Sequence, residues 1–315
     1  MLTNTLTTEP VRKLFFRYLI PSICGTMVTS IYVLADTIII GKGIGIDAMA
    51  ALNIILPLFN IFFGTGLLFG VGGSVLMSIA RGKGDTQTGN CYFSVAVLLN
   101  AITCILYMIL FLNFMEPIAR FLGATDVTMP YVLNYAPYVI LGLGFFAFST
   151  FLQTFVRNDG APSIAMCATL FSSLFNIVFD YILMFPLGLG MEGAALATAI
   201  SPIIGILICC IHFCSDKCSV KLKPTVPSVK RLFYSCQVGV SSFVAEISSG
   251  VITIVFNMII LRLAGNIGVA AYGVVANKSL VAVALFNGIA QGSQPLISDY
   301  YGLSLIHISE PTRPY

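Results

Sequence analysis

Residues 91–114 read CYFSVAVLLNAITCILYMILFLNF, a run that contains no charged side chain. As an α-helix rising about 1.5 Å per residue, it is long enough to cross the ~30 Å hydrocarbon core of a bilayer. The whole chain shares this character, since 57% of its 315 residues are hydrophobic, only 9% are charged, and the mean hydropathy is +0.95. A soluble domain carries about 25% charged residues. The composition therefore predicts an integral membrane protein and excludes a soluble fold.

Similar apolar runs recur along the chain and predict eight membrane-spanning helices. They cover residues 14–40, 48–80, 91–114, 127–155, 162–185, 192–213, 234–263 and 268–298. The connectors between them contain glycine, proline or charged residues, as at residues 41–43, 81–85, 116–117, 158–160, 186–188 and 264–266. Because these connectors are short, successive helices are expected to lie side by side and antiparallel.

The basic residues predict the orientation in the membrane, because Lys and Arg are retained on the cytoplasmic side. With a cytoplasmic N-terminus, that side receives Arg12, Lys13, Arg17, Arg81, Lys83, Arg157, Lys217, Lys221, Lys223, Lys230 and Arg231. The opposite side receives only Lys42, Arg120 and Arg262. We therefore expect a multi-pass protein of the cell membrane (the inner or plasma membrane) with a cytoplasmic N-terminus.

An internal repeat predicts how these helices are organised. Residues 45–51 (GIDAMAA) align without gaps to residues 265–271 (GNIGVAA), and the same register pairs Gly72 with Gly292, Ser78 with Ser298 and Gly82 with Gly302. Two copies of a six-helix unit enter the membrane from the same side, as in transporters built from parallel halves. We therefore predict an all-α, polytopic membrane helix bundle: a six-helix N-lobe (1–214), a basic cytoplasmic linker (215–233) and the first two helices of a pseudo-symmetric C-lobe (234–302).

The last residues do not fit this pattern. Residues 303–315 (LSLIHISEPTRPY) continue no helical periodicity, and they are similar to the translation of a transposase sequencing adapter. We expect this tail to be non-native, and we expect the natural protein to have about twelve spans.

Ionisable side chains inside the predicted spans are the candidate functional groups. Each costs at least about 2.5 to 3.5 kcal/mol at mid-bilayer, so each is expected to have a function. Asp36 and Asp180 lie at similar depths in the first and fifth spans, Glu246 lies near the middle of the seventh, and Lys278 lies in the eighth. Lys278 is a candidate partner for Glu246.

Two further polar residues are expected near the acids. Asn176 precedes Asp180 by four positions and shares its helix face, while Thr198 enters the sixth span at nearly the same level. Two adjacent carboxylates in a low dielectric cannot both stay ionised without a counter-charge, so the group would bind a proton or a cation such as Na⁺. The alternative is that each acid bonds to backbone in a static core. Pro21 predicts a kink in the first span, either a hinge or a fixed bend.

Other chemistries have no support in the sequence. The nine cysteines lack the spacing of a zinc site, and the crowding of Cys209, Cys210, His212 and Cys214 at one helix end is interpreted as packing. No hydrolase, metalloprotease or phosphate-loop motif is present. We therefore expect the protein to have no enzymatic activity and no cofactor. We also expect no metal beyond the Na⁺ considered above and no nucleic-acid partner.

These residues resemble the multidrug and toxic compound extrusion family. The matching features are Pro21 and Asp36, residues 81–85 (RGKGD), Asn176 with Asp180, and residues 193–198 (GAALAT). The resemblance implies two six-helix lobes and an N-lobe site for a cation or proton formed by Asp36, Asn176, Asp180 and Thr198, with Pro21 at the bend. Glu246 resembles an acidic residue that another branch of the family uses in the same helix.

The leading hypothesis is a monomeric secondary antiporter that exports drugs or other small organic cations in exchange for H⁺ or Na⁺. The alternative within the same architecture is a lipid-linked oligosaccharide flippase, which would need several cationic residues in its cavity to bind a pyrophosphate. Lys278 is the only cation placed in the interior of the predicted spans, because Arg17 and Arg262 are assigned to the two membrane faces. A different class, a non-transporting membrane scaffold or receptor, would not need the Asp36 and Asp180 pair.

Overall fold

The computed structural model describes residues 10–43, 46–122, 124, 126, 128–216, 218–222 and 229–303. Within these ranges all regular structure is α-helical, which confirms the predicted fold class. The helices in chain order are α1 (Val11–Gly43), α2 (Ile46–Gly82), α3 (Thr86–Asn113), α4 (Met115–Phe121), α5 (Met129–Asn158), α6 (Pro162–Met184), α7 (Gly190–Phe213) and α8 (Val229–Gly302).

Six of these helices are long and apolar enough to cross a membrane: α1, α2, α3, α5, α6 and α7. They match the first six predicted spans to within a few residues. Their outward faces carry large exposed apolar side chains, for example Ile102, Ile105 and Ile109 on α3, as expected for contact with lipid. The chain is therefore a multi-pass membrane protein.

The predicted connector at 116–117 is wrong in detail, because Glu116 and Pro117 belong to the short helix α4 (Met115–Phe121). The proline lies in the first turn, where its missing N–H group would have had no helical partner in any case. Met115 and Ala119 are the buried residues of α4, and the helix packs against α5.

A second connector also differs from the prediction. A loop was expected at residues 264–266, but the backbone of α8 is helical without interruption from Val229 to Gly302. The side chains at this point lie outside the described residues, so the proposed repeat between residues 45–51 and 265–271 cannot be compared there.

The two ends of α8 nevertheless run in opposite directions. Ser235 lies against Gly72 of α2, whereas Gly302 lies against Gly82, only ten residues further along the same helix. A straight helix from 235 to 302 would be about 100 Å long, while Gly72 and Gly82 are about 15 Å apart. The helical chain therefore folds back on itself, and we call its two described parts the first arm (229–250) and the second arm (281–303).

The contacts of the two arms follow the predicted repeat. Gly72 of α2 packs closely on Gly239 of the first arm, and Gly292 of the second arm packs closely on Leu19 of α1. The same sequence spacing separates Leu19 from Gly239 and Gly72 from Gly292, so the two copies exchange equivalent contacts. A side chain at Gly72 would overlap the backbone of Ser235. These positions need glycine because two helix backbones approach each other there.

The helices enclose an internal space. α2 packs against α3, α5 and α8, α6 packs against α7, and α1 packs against α6 and α8. At the end where α5 terminates and residues 218–222 contact α2, α3 and Asp159, the rings of Phe93, Phe151, Phe155 and Phe213 pack against one another and fill the core. We call this end the linker end of the bundle, and the other the far end.

Candidate functional site

A cavity of about 620 Å³ lies between α1, α2, α5, α6, α7 and both arms of α8. Its volume is that of a pocket for a drug-sized molecule. Aromatic rings of Phe59, Phe63 and Phe146 form part of its wall, and the ring planes of Phe63 and Phe146 are stacked. Polar and charged side chains occupy three other zones: the far end, the middle and the linker end.

At the far end the structure brings together the four residues predicted to form an ion site. Three of them line the cavity: Asp36 of α1, Asn176 of α6 and Thr198 of α7. Asp180 of α6 lies behind them and is fully buried. The side-chain amide of Asn176 donates a hydrogen bond to the Thr198 hydroxyl over 3.4 Å. The Asp36 and Asp180 carboxyl groups are adjacent, near enough for a hydrogen bond when one of them carries a proton.

These oxygens lack donors. Both carboxylate oxygens of Asp180, one of Asp36 and the amide oxygen of Asn176 are buried and accept no hydrogen bond from the part of the chain that the structure describes. Unpaired buried polar oxygens are costly, and buried charges normally coordinate a cation or pair with one. Tyr32 and Tyr135 adjoin the acids, which encloses the group further. The arrangement is suited to bind one small cation or a proton.

Glu246 stands in the middle of the cavity wall. It belongs to the first arm of α8, and its Cβ lies 3.5 Å from the Cβ position at Gly64 of α2. Among the described residues it has no ion-pair partner. The predicted partner, Lys278, has a side chain outside the described residues. Glu246 is therefore a second acidic group that faces the cavity.

Pro21 also lines the cavity, inside α1 (Val11–Gly43). Helical backbone continues on both sides of it. The ring removes one backbone hydrogen bond from the helix that carries Asp36. Its role as a hinge stays a prediction.

The linker end of the cavity contains a cation that sequence analysis placed elsewhere. Arg157 was assigned to a cytoplasmic connector, but α5 extends to Asn158, and Arg157 is only 9% exposed and lines the cavity. The statement that Lys278 is the only cation within the spans is therefore wrong. The predicted span ended too early because the helix continues through the polar residues 153–158 (QTFVRN).

Below the cavity a second cluster joins distant parts of the chain, and sequence analysis did not predict it. Arg81 at the end of α2 contacts Asp159 over 2.7 Å and Asp299 of the second arm over 3.3 Å. It also donates a hydrogen bond to the backbone carbonyl of Asn158 over 2.7 Å and to the hydroxyl of Ser219 over 2.9 Å. We call Arg81, Asp159, Asp299, Ser219 and His212 the linker-end cluster.

Asp159 is the centre of the linker-end cluster. His212 contacts one of its oxygens over 2.8 Å, and both the backbone N–H and the hydroxyl of Ser219 donate to it. Burial alone would raise the pKa of Asp159, but the hydrogen bonds from His212 and Ser219 and the charge of Arg81 outweigh it and hold this pKa below its ordinary value. His212 was interpreted as a packing residue, and no local pattern indicated its contact 53 positions away.

Two members of the linker-end cluster form, with the neighbouring Cys218, a group of three potential metal ligands. The ligand atoms of Asp159, His212 and Cys218 lie within 4.8 Å of one another. However, both oxygens of Asp159 already accept hydrogen bonds, and the Arg81 guanidinium lies beside them. A neighbouring fixed cation opposes binding of a metal ion. The geometry therefore favours a structural junction at this place.

Together, the fold and the site define a polytopic helical membrane protein with a drug-sized internal cavity and buried acids at one end of it. Comparison with known proteins identifies the family. A family profile described as MatE matches residues 21–182, just over half of the chain. The chain belongs to the MatE family, the multidrug and toxic compound extrusion transporters.

Individual relatives agree with this assignment. Multidrug export protein MepA of Staphylococcus aureus (strain MRSA252) is 31% identical over 292 residues, which cover 92% of this chain and 64% of the relative. The protein of the same name from Staphylococcus saprophyticus is 29% identical over 290 residues, with 91% and 64% covered. The chain thus spans less than two thirds of the length of these relatives.

Solved structures show the same fold. A crystal structure of MATE in complex with MaD3S has a TM-score of 0.88 at 24% identity, covering 96% of this chain and 69% of that chain. The outward-facing conformation of a multidrug resistance MATE family transporter of the MOP superfamily has a TM-score of 0.87, with 96% and 68% covered. At this level of identity the likeness concerns the fold alone.

Proposed function

We propose that this chain forms the ion-binding part of an antiporter that exports small organic cations in exchange for protons or sodium ions. The observation that carries the proposal is the group of unpartnered, buried oxygens of Asp36, Asn176 and Asp180 at the far end of the cavity. The names of the MepA relatives, which are multidrug export proteins, support export of drugs as the transport activity.

The chemistry of the acid pair supports ion coupling. Two adjacent carboxylates in a low dielectric repel each other unless a proton or a cation compensates one charge. Oxygen ligands from Asp36, Asn176, Asp180 and Thr198 suit either H⁺ or Na⁺. Asp36 faces the cavity while Asp180 lies behind it, so binding of the coupling ion changes the negative charge that a cationic substrate meets. Such a shared charge makes ion and substrate compete, which is the requirement for antiport.

The cavity wall supports organic cations as cargo. Phe59, Phe63 and Phe146 offer aromatic faces, which attract cations and apolar rings alike. Glu246 places a negative charge in the middle of the wall without a neutralising partner among the described residues. Flat, amphipathic, positively charged molecules fit this combination, and a cavity of about 620 Å³ admits them.

We extend the proposal to the organisation of the chain in the membrane. The N-lobe (1–214) and the start of the C-lobe (234–302) pack against each other along α1 and α2, and the segment 215–233 connects them on the cytoplasmic side. In that orientation the linker-end cluster closes the cytoplasmic side of the cavity. Pro21 is proposed as the hinge by which α1 responds to the state of Asp36. Residues 304–315 of the expected non-native tail lie outside the described residues.

Transport in vesicles tests the proposal. The intact protein is reconstituted into liposomes that contain a fluorescent organic cation, and an inward sodium gradient or an inward proton gradient is imposed. One of the two gradients is expected to accelerate export, and Asp36→Asn is expected to abolish that acceleration. Arg120→Gln, a change in an exposed surface ion pair, is the matched control. Export that neither gradient accelerates would refute the antiport proposal.

A flippase of lipid-linked oligosaccharides is the second candidate, and Arg157 in the cavity is the observation in its favour. A pyrophosphate carries several charges and calls for several cations. The described part of the wall instead contains the acids Asp36 and Glu246. An assay of lipid-linked oligosaccharide translocation in the same liposomes separates the two functions.

A further inference from the structure

Arg157 is a buried cation that has no partner among the residues that the structure describes. The residue is 9% exposed, and it lines the linker end of the cavity. Neither a hydrogen bond nor an ion pair of its guanidinium group is found within the described ranges. An uncompensated buried charge is among the most costly features in a protein, so it is retained only where something else satisfies it.

The acids near Arg157 are engaged elsewhere. Asp159 follows two residues later, but its oxygens bind Arg81, His212 and Ser219. Asp299 binds Arg81 as well. The guanidinium of Arg157 is therefore left to contact whatever occupies the cavity.

The surroundings of Arg157 are preorganised. One turn earlier on α5, Gln153 donates to the Ser149 hydroxyl over 3.0 Å and accepts from the Thr169 hydroxyl over 2.7 Å. These bonds engage both ends of the Gln153 amide, including its oxygen, which would otherwise be an acceptor for Arg157. The zone consequently offers a positive charge, and within the described ranges the guanidinium donates no hydrogen bond to these fixed side chains.

From this geometry we infer that Arg157 forms an anion subsite that binds a carboxylate of the transported molecule at the linker end of the cavity. The planar guanidinium fork matches a carboxylate in a bidentate arrangement. A single positive charge suits a monoanion better than a diphosphate, and no second cation lies among the described residues of the wall.

The position of Glu246 gives the subsite a consequence for the cargo. Glu246 adjoins Gly64, and Gly66, two residues further along α2, adjoins Thr150 of α5. Thr150 precedes Arg157 by seven residues, which corresponds to about 10 Å along the helix. Gly64 lies about 3 Å further from the linker end than Gly66, so the cavity holds a negative and a positive group about 13 Å apart along its length. Amphoteric molecules with an amine at one end and a carboxylate at the other match this arrangement, in addition to simple cations.

Binding measurements on the intact protein in an uncharged detergent test the subsite. The subsite rests on the proposed export function only in the assumption that the bound molecule is a transported one. The probes are rhodamine B, which carries a cationic ring system and a carboxylate, and its ethyl ester, in which that carboxylate is blocked. Fluorescence anisotropy gives the Kd of each dye. In Arg157→Gln, the Kd of rhodamine B is expected to rise relative to the Kd of the ester by at least about tenfold. This is the loss expected when a charge-assisted hydrogen bond is removed. Arg157→Lys is expected to retain part of the preference.

Two controls make the result independent of folding. Arg120→Gln removes an exposed arginine of the same type and is expected to leave the Kd ratio unchanged. In the unmutated protein, benzoate is expected to displace rhodamine B and to leave the ester bound. Three results would each overturn the subsite. The first is an unchanged Kd ratio in Arg157→Gln, and the second is loss of binding of both dyes by that variant. The third is equal displacement of rhodamine B and its ester by benzoate.

Export of the same dyes from liposomes separates this inference from the proposed function. If the ester is exported and the Kd ratio is insensitive to Arg157, only the anion subsite is wrong. If the Kd ratio responds as expected while neither dye is exported, the subsite stands and the transport proposal is wrong.

Discussion

Replacing Arg81 by alanine is expected to destabilise the protein strongly. Its guanidinium joins Asp159 and Asp299, and the three side chains are 7%, 0% and 2% exposed, respectively. Removing one member of a buried ion pair leaves the other charge uncompensated and costs about 3 to 5 kcal/mol. For a chain of this size, that loss lowers the midpoint of thermal unfolding by roughly 5 to 10 °C.

A thiol-reactive fluorescent dye measures this unfolding in detergent, because Cys91, Cys104 and Cys209 are free and buried in the folded chain. Arg120→Ala is the matched control. Arg120 also contacts two acids, over 3.4 and 3.2 Å, but it is 53% exposed, so its loss costs about 1 kcal/mol or less. Equal shifts for the two variants would refute the reasoning, since burial of the cluster would then have no energetic consequence.

Three further predictions concern other parts of the molecule. The pKa of Asp159 is lowered in the folded chain, so its ionised carboxylate adds to the free energy of unfolding. This contribution is complete above about pH 4 and is lost as the pH falls through the folded-state pKa. The difference in stability between the unmutated protein and Asp159→Asn should therefore shrink in acid. Gly239→Ala should lower the yield of folded protein because its Cβ would overlap the carbonyl of Leu68, whereas Gly25→Ala, with ordinary contacts of 3.9 Å, should not; size-exclusion chromatography compares them. In a variant with Cys214 as its single cysteine, an impermeant maleimide should label inside-out vesicles and spare right-side-out ones, and the opposite result would reverse the orientation.

The helices were predictable because membrane spans depend on local composition. A run such as 91–114 has one physically acceptable structure in a bilayer, and α3 (Thr86–Asn113) follows it closely. The loop expected at 264–266 is helical in the structure, although the opposite directions of the two arms of α8 show that the chain does reverse between them. α4 escaped prediction because seven residues with a proline resemble a turn.

The far end of the cavity was predictable for a related reason. Helical rise gives depth, and spacing by four residues gives a common face, so Asn176 and Asp180 could be placed with Thr198 and Asp36 by counting. The linker-end cluster could not be found in this way. Its contacts join residues 78 and 218 positions apart, and each member resembles an ordinary residue at a helix end. Arg157 was missed because its role depends on its burial in the cavity wall and on its having no partner among the described residues, and both emerge only from the packed structure.

The central claim is that Asp36 and Asp180 act as one ion site, and ion binding to the purified protein tests it most directly. Isothermal titration calorimetry at high pH gives the number of sodium ions bound per molecule. The number of protons released in a pH jump gives the corresponding count for protons. If the two carboxylates share one ion, Asp36→Asn, Asp180→Asn and the double variant should each lose the same single ion, because the substitutions are not additive within one site. The account would be contradicted if either single variant still bound that ion. It would also be contradicted if each single variant lost one ion and the double variant lost two.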